Sequence, residues 1–233
     1  NIKNKDDLDD YIERYFHPQK HNYILVDEVQ QIENFEECIC SWYTEENTDV
    51  IITGSNSKML SGDLSTLLAG RYIEIRVHPL TYTEFLEFHN LQDSDDALMK
   101  YLNYGGLPGL RSIGVDNDEH VWTYLSSVFN TIVLKDIIER HDIRNVAFLN
   151  NLISFYADTT GKLTSANSIS KYMKSQGENI SSNLILLYRS FYEEAYLLNS
   201  VSRYDIHGKR LLESNEKVYW DDLGLRNHKA DGS

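Results

Sequence analysis

This sequence predicts an α/β fold: a parallel sheet at the front, a helical subdomain behind it, and two helices followed by a hairpin at the end. Three observations carry that prediction. Two apolar runs rich in β-branched residues, Tyr23-Ile24-Leu25-Val26 and Val50-Ile51-Ile52-Thr53, are separated by a helical pattern, and strands alternating with helices pair in parallel. After Pro79 the apolar spacing turns helical and stays so. From Gly161 the style changes again, and so does the charge. Lys and Arg stand against Asp and Glu as 5 to 13 in residues 1–60, 7 to 14 in residues 61–160 and 10 to 9 in residues 161–233, which places a domain change near residue 160.

Each element has its own signal. Leu8, Ile12 and Phe16 recur at helical spacing up to Pro18, which breaks the pattern. The strand Tyr23–Val26 follows, then a helix with Phe35, Ile39, Trp42 and Tyr43 on one face, then the strand Val50–Thr53. A loop over 54–62 leads to a short helix from Asp63 through Leu64, Leu67 and Leu68, with Gly70 as its glycine cap. Tyr72–Val77 alternates as a further strand. Helices then carry Phe85, Leu86 and Phe88, next Leu98, Tyr101 and Leu102, and after the break Gly105-Gly106-Leu107-Pro108-Gly109 a long amphipathic stretch from Asp118 to His141. That stretch presents Val121, Leu125, Val128, Ile132 and Ile137, and another helix covers Val146–Tyr156. In the last third, Thr164–Gln176 and a helix capped by Ser181 or Ser182 precede a hairpin. Its arms are Leu198–Ile206 and Lys209–Leu212 about the turn His207-Gly208. Helix, turn, helix, hairpin is the order of a winged helix.

Composition bounds the function. With 233 residues, 41% of them hydrophobic, the chain can bury one large core or two small ones. No apolar run approaches the roughly 18 residues that a membrane span needs, so no membrane partner and a cytoplasmic location are expected. The two cysteines, Cys38 and Cys40, point apart on a helix and read as reduced thiols, and the eight histidines show no metal-ligand spacing. A net charge of −14, concentrated in the first two thirds, argues against broad nucleic-acid contact there.

The chemistry sits at the strand ends. The first run stops at Asp27-Glu28, and the second ends in Thr53-Gly54-Ser55-Asn56. In nucleotide hydrolases with a phosphate-binding loop, an Asp at the C-terminal end of a buried strand orients Mg²⁺, the next Glu takes a proton from water, and a neighbouring strand offers a polar side chain. An acidic pair after a strand is otherwise a solvated turn, and Gly-Ser-Asn is good turn chemistry. The phosphate-cradling pattern G-x-x-x-x-G-K-[ST] does not occur in these 233 residues, so the chain by itself is expected to bind ATP weakly or not at all.

Taken in order, several segments resemble a family of prokaryotic AAA+ ATPases with an uncharacterised C-terminal domain. They are Ile24-Leu25-Val26-Asp27-Glu28-Val29-Gln30, Thr53-Gly54-Ser55-Asn56-Ser57, Leu68-Ala69-Gly70-Arg71-Tyr72 and His78-Pro79-Leu80-Thr81-Tyr82-Thr83-Glu84-Phe85, followed by Tyr104-Gly105-Gly106-Leu107-Pro108, Lys135-Asp136-Ile137 and Lys217 through Arg226. The resemblance implies a partial P-loop NTPase sheet in residues 1–80, a helical lid in 81–160, a winged helix in 161–213, and in 214–233 the start of a further domain similar to PD-(D/E)xK nucleases. It also implies a phosphate-loop strand ahead of Asn1, so that the chain is either part of a longer protein or a degenerate copy.

The family's roles carry over as follows. Asp27 would orient Mg²⁺ through water, Glu28 would be the base, Ser55 and Asn56 would fill the sensor 1 position, and Arg71 would act as a finger on a neighbouring subunit's nucleotide or else form a structural ion pair. ATP and Mg²⁺ are then the cofactors of the full-length protein, and a homo-oligomer is implied. The winged helix would touch DNA phosphates through Lys171, Lys174, Arg189, Arg203, Lys209 and Arg210, or dock a protein; Glu193 and Glu194 on its second helix weigh against groove reading.

Overall fold

The computed structural model describes residues 2–55, 71–202 and 215–231. The chain divides into two compact units, residues 1–75 and 76–233.

In the first unit, helix α1 spans Lys5–Tyr15. The Asn4 side chain accepts the Asp7 N–H at 3.0 Å, and Asp6 and Asp7 face the positive end of the helix dipole while Arg14 sits at the negative end. Strand β1 (Asn22–Val26) and strand β2 (Thr48–Ile52) pair in parallel, in the register Asn22 with Thr48 through Val26 with Ile52. Between them a single tight turn, Val29–Gln31, leads to helix α2 (Phe35–Tyr43). Leu8 and Ile12 of α1, Ile24 of β1 and Phe35, Cys38 and Ile39 of α2 close one core with Val29 and Ile32. Burial and the nearby Asp9 carboxylate push the Cys38 thiol well up, which leaves it inert.

Two expectations for this unit are corrected. The run Tyr23–Val26 is apolar enough for a central, buried strand, yet of its residues only Ile24 is buried; Tyr23, Leu25 and Ile51 are exposed, Leu25 at 70%. Tyr72–Val77 is not a strand. Its alternation is right, but a strand needs a partner edge, and among the described residues none is offered: Ile73 and Val77 are 89% and 86% exposed. The sheet therefore has two described strands. The expected loop and helix over 56–70 lie outside the described residues.

The second unit is mainly helical: α3 (Tyr82–His89), α4 (Asp95–Tyr104), the single turn α5 (Leu110–Ile113), α6 (Asp118–Thr131), α7 (Val146–Asp158), α8 (Ala166–Ser175), α9 (Ser182–Glu194) and α10 (Leu223–Asp231). Side-chain caps fix the starts. Thr81 and Glu84 form a reciprocal box at α3, and Ser94, Asn117, Asn145, Ser165 and Ser181 each accept an N–H of the first turn of their helix. Strands β3 (Leu163–Thr164), β4 (Leu198–Val201) and β5 (Glu216–Trp220) form an antiparallel sheet in the order β3, β5, β4.

Helix α6 continues through Ile132–Glu139 in wider, π-helical turns. The cause is legible in the spacing. Val121, Leu125, Phe129, Val133 and Ile137 are all buried and recur every four residues, a repeat that drifts about 40° per step on an α-helix of 3.6 residues per turn. Wider turns rotate the repeat back toward the core. The buried positions are thus Phe129 and Val133, with Val128 and Ile132 at the margin.

The expected division of this half is also revised. Residues 81–160, 161–213 and 214–233 belong to one compact unit. The partner of β4 is Glu216–Trp220; the turn His207-Gly208 and the arm Lys209–Leu212 lie outside the described residues. Val218, Trp220 and Leu225 enter the same core as Leu125 and Phe148, and α10 packs on α4, α6 and α7. Residues 215–231 therefore pack into this unit.

Asp222 shows how. It is 4% exposed, and its carboxylate accepts the Leu225 N–H at 2.9 Å, capping α10, and the Gly106 N–H at 2.8 Å. Burial pushes its carboxyl up against the opposing pull of the Leu225, Gly106 and Gly224 amides. The glycine pair is required here. Gly105 has φ +76°, and a Cβ on Gly106 would lie 2.2 Å from the Leu80 carbonyl oxygen, while the Leu80 N–H donates to Gly106 O at 2.8 Å. Asp221 meets His78 Nδ1 at 3.2 Å and the Asn199 amide at 2.7 Å. The segment at 76–80 is thereby tied to β4 and β5.

Candidate functional site

Continuing the parallel register one residue past Val26 and Ile52 sets Asp27 opposite Thr53. The ladder itself runs on: the Thr53 N–H donates to Val26 O at 2.9 Å, and the Val29 N–H donates to Thr53 O at 3.0 Å. The Thr53 hydroxyl donates to the Asp27 carboxylate and accepts the Glu28 N–H at 3.1 Å. Two parallel strands thus bring both acids and the second strand's polar end to one place, as the C-terminal ends of such strands do.

Glu28 takes a left-handed conformation, φ 51° and ψ 49°, which costs a residue with a Cβ roughly 1–2 kcal/mol. The Thr53 bonds described above and the side chain of Gln30 hold it there. The Gln30 amide nitrogen donates to Glu28 Oε2 at 2.6 Å and to Ser55 Oγ at 3.2 Å. A strained acidic residue held at both its backbone and its carboxylate is a usual signature of a working site.

The structure therefore assembles Asp27, Glu28 and Ser55, and adds Thr53 and Gln30, which motif reading passed over as backbone context. Strand register was the available signal for Thr53. For Gln30 it was the turn that follows Glu28, which folds position 30 back under position 28. Asn56 lies outside the described residues. Arg71 is not part of this cluster: its guanidinium lies 5.9 Å from the Tyr43 ring, where α2 ends.

The oxygens present suit Mg²⁺ held through water. Mg²⁺ keeps several waters and takes one or two carboxylates together with substrate phosphates, and Asp27 with the Thr53 and Ser55 hydroxyls nearby offers that set. No group of three or more His, Cys, Asp or Glu among the described residues could cage a metal without phosphates.

The candidate DNA-contact residues separate. Lys171 and Lys174 are exposed on α8. Arg189 is corrected: its guanidinium meets Glu216 at 2.6 Å and Glu193 at 3.4 Å, so it is a structural ion pair and not a phosphate contact. Arg203, Lys209 and Arg210 lie outside the described residues. The outward face of α9 carries Asn183, Leu186 and Leu187, the two leucines 43% and 48% exposed.

Residues 1–86 match the AAA domain family. A protein of Haemophilus influenzae described as uncharacterized is 37% identical over 214 residues, covering 90% of this chain and 53% of its own length. Uncharacterized protein MJ1544 of Methanocaldococcus jannaschii is 28% identical over 209 residues, covering 84% and 46%. The chain thus spans about half the length of the curated relatives it matches. Among solved structures, the Walker-type ATPase PABY2304 of Pyrococcus abyssi shares the fold with a TM-score of 0.59 at 14% identity, over 96% of this chain and 66% of that one. Residues 95–232, more than half of the chain, match a domain of unknown function, DUF8612, and the chain belongs to that family.

Proposed function

We propose that residues 1–75 form the hydrolytic half of an ATPase site, in which Asp27 orients Mg²⁺ through water and Glu28 is the general base. The observation that carries this reading is the convergence of Asp27, Glu28, Thr53 and Ser55 at the C-terminal ends of two parallel strands. The AAA domain match and the ATPase fold neighbour support it. Glu28 accepts a proton from the attacking water as the water oxygen bonds to the γ-phosphorus, the bond to the β–γ bridging oxygen breaks, and ADP leaves. Magnesium, when present with the nucleotide, offsets charge on the β- and γ-phosphate oxygens. Ser55 helps place the water. The phosphate-cradling loop is supplied from outside these 233 residues, and Arg71, beside the Tyr43 ring, serves the nucleotide of a neighbouring copy in a homo-oligomer. Steady-state ATP hydrolysis by the whole protein tests this, with Glu28→Gln as the decisive variant; turnover indifferent to that change contradicts it.

A second reading concerns α8, α9 and the β3–β5–β4 sheet, which we infer to be a winged-helix module that docks protein in preference to DNA. The specific observation is the exposed Leu186–Leu187 pair on α9, where a groove-reading helix would present cations or amides. With Arg189 occupied, Lys171 and Lys174 are the described residues left of the six candidate phosphate contacts. Duplex DNA titrated at low salt is expected to bind weakly, with a log–log salt slope no steeper than about −2, at about 0.9 per phosphate contact. A slope steeper than about −4, lost equally for all sequences on replacing Lys171, Lys174 and Arg210 with Ala, would establish the DNA role instead.

A further inference from the structure

We propose that Gln30 is a positioning residue that holds the Glu28 carboxylate and couples it to Ser55, so that base and sensor move as one unit. This rests on the reading of Asp27 and Glu28 as a hydrolytic pair.

The amide orientation is decided by chemistry. A carboxylate only accepts, so the side facing Glu28 must be the NH₂ group, and its two hydrogens are used once each, on Glu28 Oε2 at 2.6 Å and on Ser55 Oγ at 3.2 Å. A donor to a charged acceptor is the stronger of the two bonds. Gln30 Oε1 is buried and meets no donor among the described residues, so the side chain is held by its nitrogen alone. Its two partners come from different strands: Glu28 follows β1 and Ser55 follows β2. A shift of Ser55 toward a γ-phosphate therefore pulls on the same amide that sets the Glu28 carboxylate. Glu28 also lacks the freedom an exposed turn residue would have, because its backbone is left-handed and its N–H is bound to Thr53.

Removing the NH₂ group while keeping the fold should misplace the base without altering nucleotide affinity. The experiment is ATP hydrolysis by the whole protein carrying Gln30→Ala or Gln30→Met, the second keeping length and volume so that packing is preserved. The expected result is a kcat lower by on the order of 10- to 100-fold, the range for a catalytic group displaced by about 1 Å, with KM within about twofold of wild type. Gln30→Met added to Glu28→Gln should cost nothing further, and added to Ser55→Ala it should cost less than the product of the two single losses. A wild-type kcat for Gln30→Met, while Glu28→Gln is inactive, overturns the positioning role and leaves the hydrolytic pair standing. A fall in kcat matched by the same fold-change in the Glu28→Gln background also overturns it, since Gln30 would then act without Glu28. Full activity of Glu28→Gln removes the pair and this proposal with it.

Discussion

Glu28→Gln is expected to keep nucleotide binding and lose most turnover, by about a hundredfold or more, the range for a lost general base. The substitution preserves shape: a Gln at 28 still accepts from the Gln30 amide, still tolerates the same strained backbone, and leaves the Thr53 bonds to the main chain intact. What it loses is the ability to take a proton. The two strands should be unaffected, since Glu28 contributes nothing to the core of Leu8, Ile24, Phe35 and Ile39. A stopped-time assay of phosphate release beside a nucleotide titration separates the two effects. Loss of binding together with turnover would make Glu28 a structural or ligand-holding residue, and unchanged phosphate release would move the base elsewhere.

The second large effect is on stability. Gly106→Ala is expected to destabilise residues 76–233 by about 3 kcal/mol, since overpacking against immobile atoms costs that order. The added methyl would meet backbone, the Leu80 oxygen at 2.2 Å and nitrogen at 2.8 Å, and Leu80 cannot retreat without breaking its own N–H bond to Gly106. Moving Gly106 instead pulls its N–H from the buried Asp222, whose carboxylate caps α10. A fall in melting temperature of about 6–12 °C corresponds to this in a unit of that size. Gly114→Ala is the control for added volume: nothing lies within 4 Å of the added Cβ, so only the conformational penalty of its φ of +82°, about 1 kcal/mol, remains, a penalty Gly106 does not carry. Equal losses for the two variants would show that the close approach to Leu80 does not matter.

Much of this architecture was legible in sequence where one local rule decided the outcome. Helix α1 is marked by Leu8, Ile12 and Phe16 up to the break at Pro18, α3 by the helical spacing that sets in after Pro79, and the pair of runs ending at Asp27 and Thr53 implies parallel strands. Reading failed where the outcome depended on a distant partner. Tyr72–Val77 has strand-like alternation and, among the described residues, no edge to join, and no local pattern announces that Glu216–Trp220 pairs with Leu198–Val201. Nothing in the local pattern around Asp222 reveals that Gly106, 116 residues earlier, supplies one of its donors.

The candidate site followed the same division. Asp27, Glu28 and Ser55 could be named because strand ends gather polar groups, whereas Thr53 and Gln30 act through hydrogen bonds that only the register and the Val29–Gln31 turn create. Arg189 was misjudged for the opposite reason. An arginine on a second helix suggests phosphate contact until Glu216, on a strand 27 residues later, is seen to hold it at 2.6 Å.

The most direct measurement replaces Mg²⁺ with paramagnetic Mn²⁺ and records which backbone amide resonances of the whole protein broaden when ATP is added. A metal held beside Asp27 should erase the signals of residues 27–30 and 53–55 first, and leave those of Tyr43 and Thr48, at the far end of the strands, intact. Broadening centred on Tyr43 and Arg71, or none that depends on ATP, would contradict an ATPase site at Asp27 and Glu28.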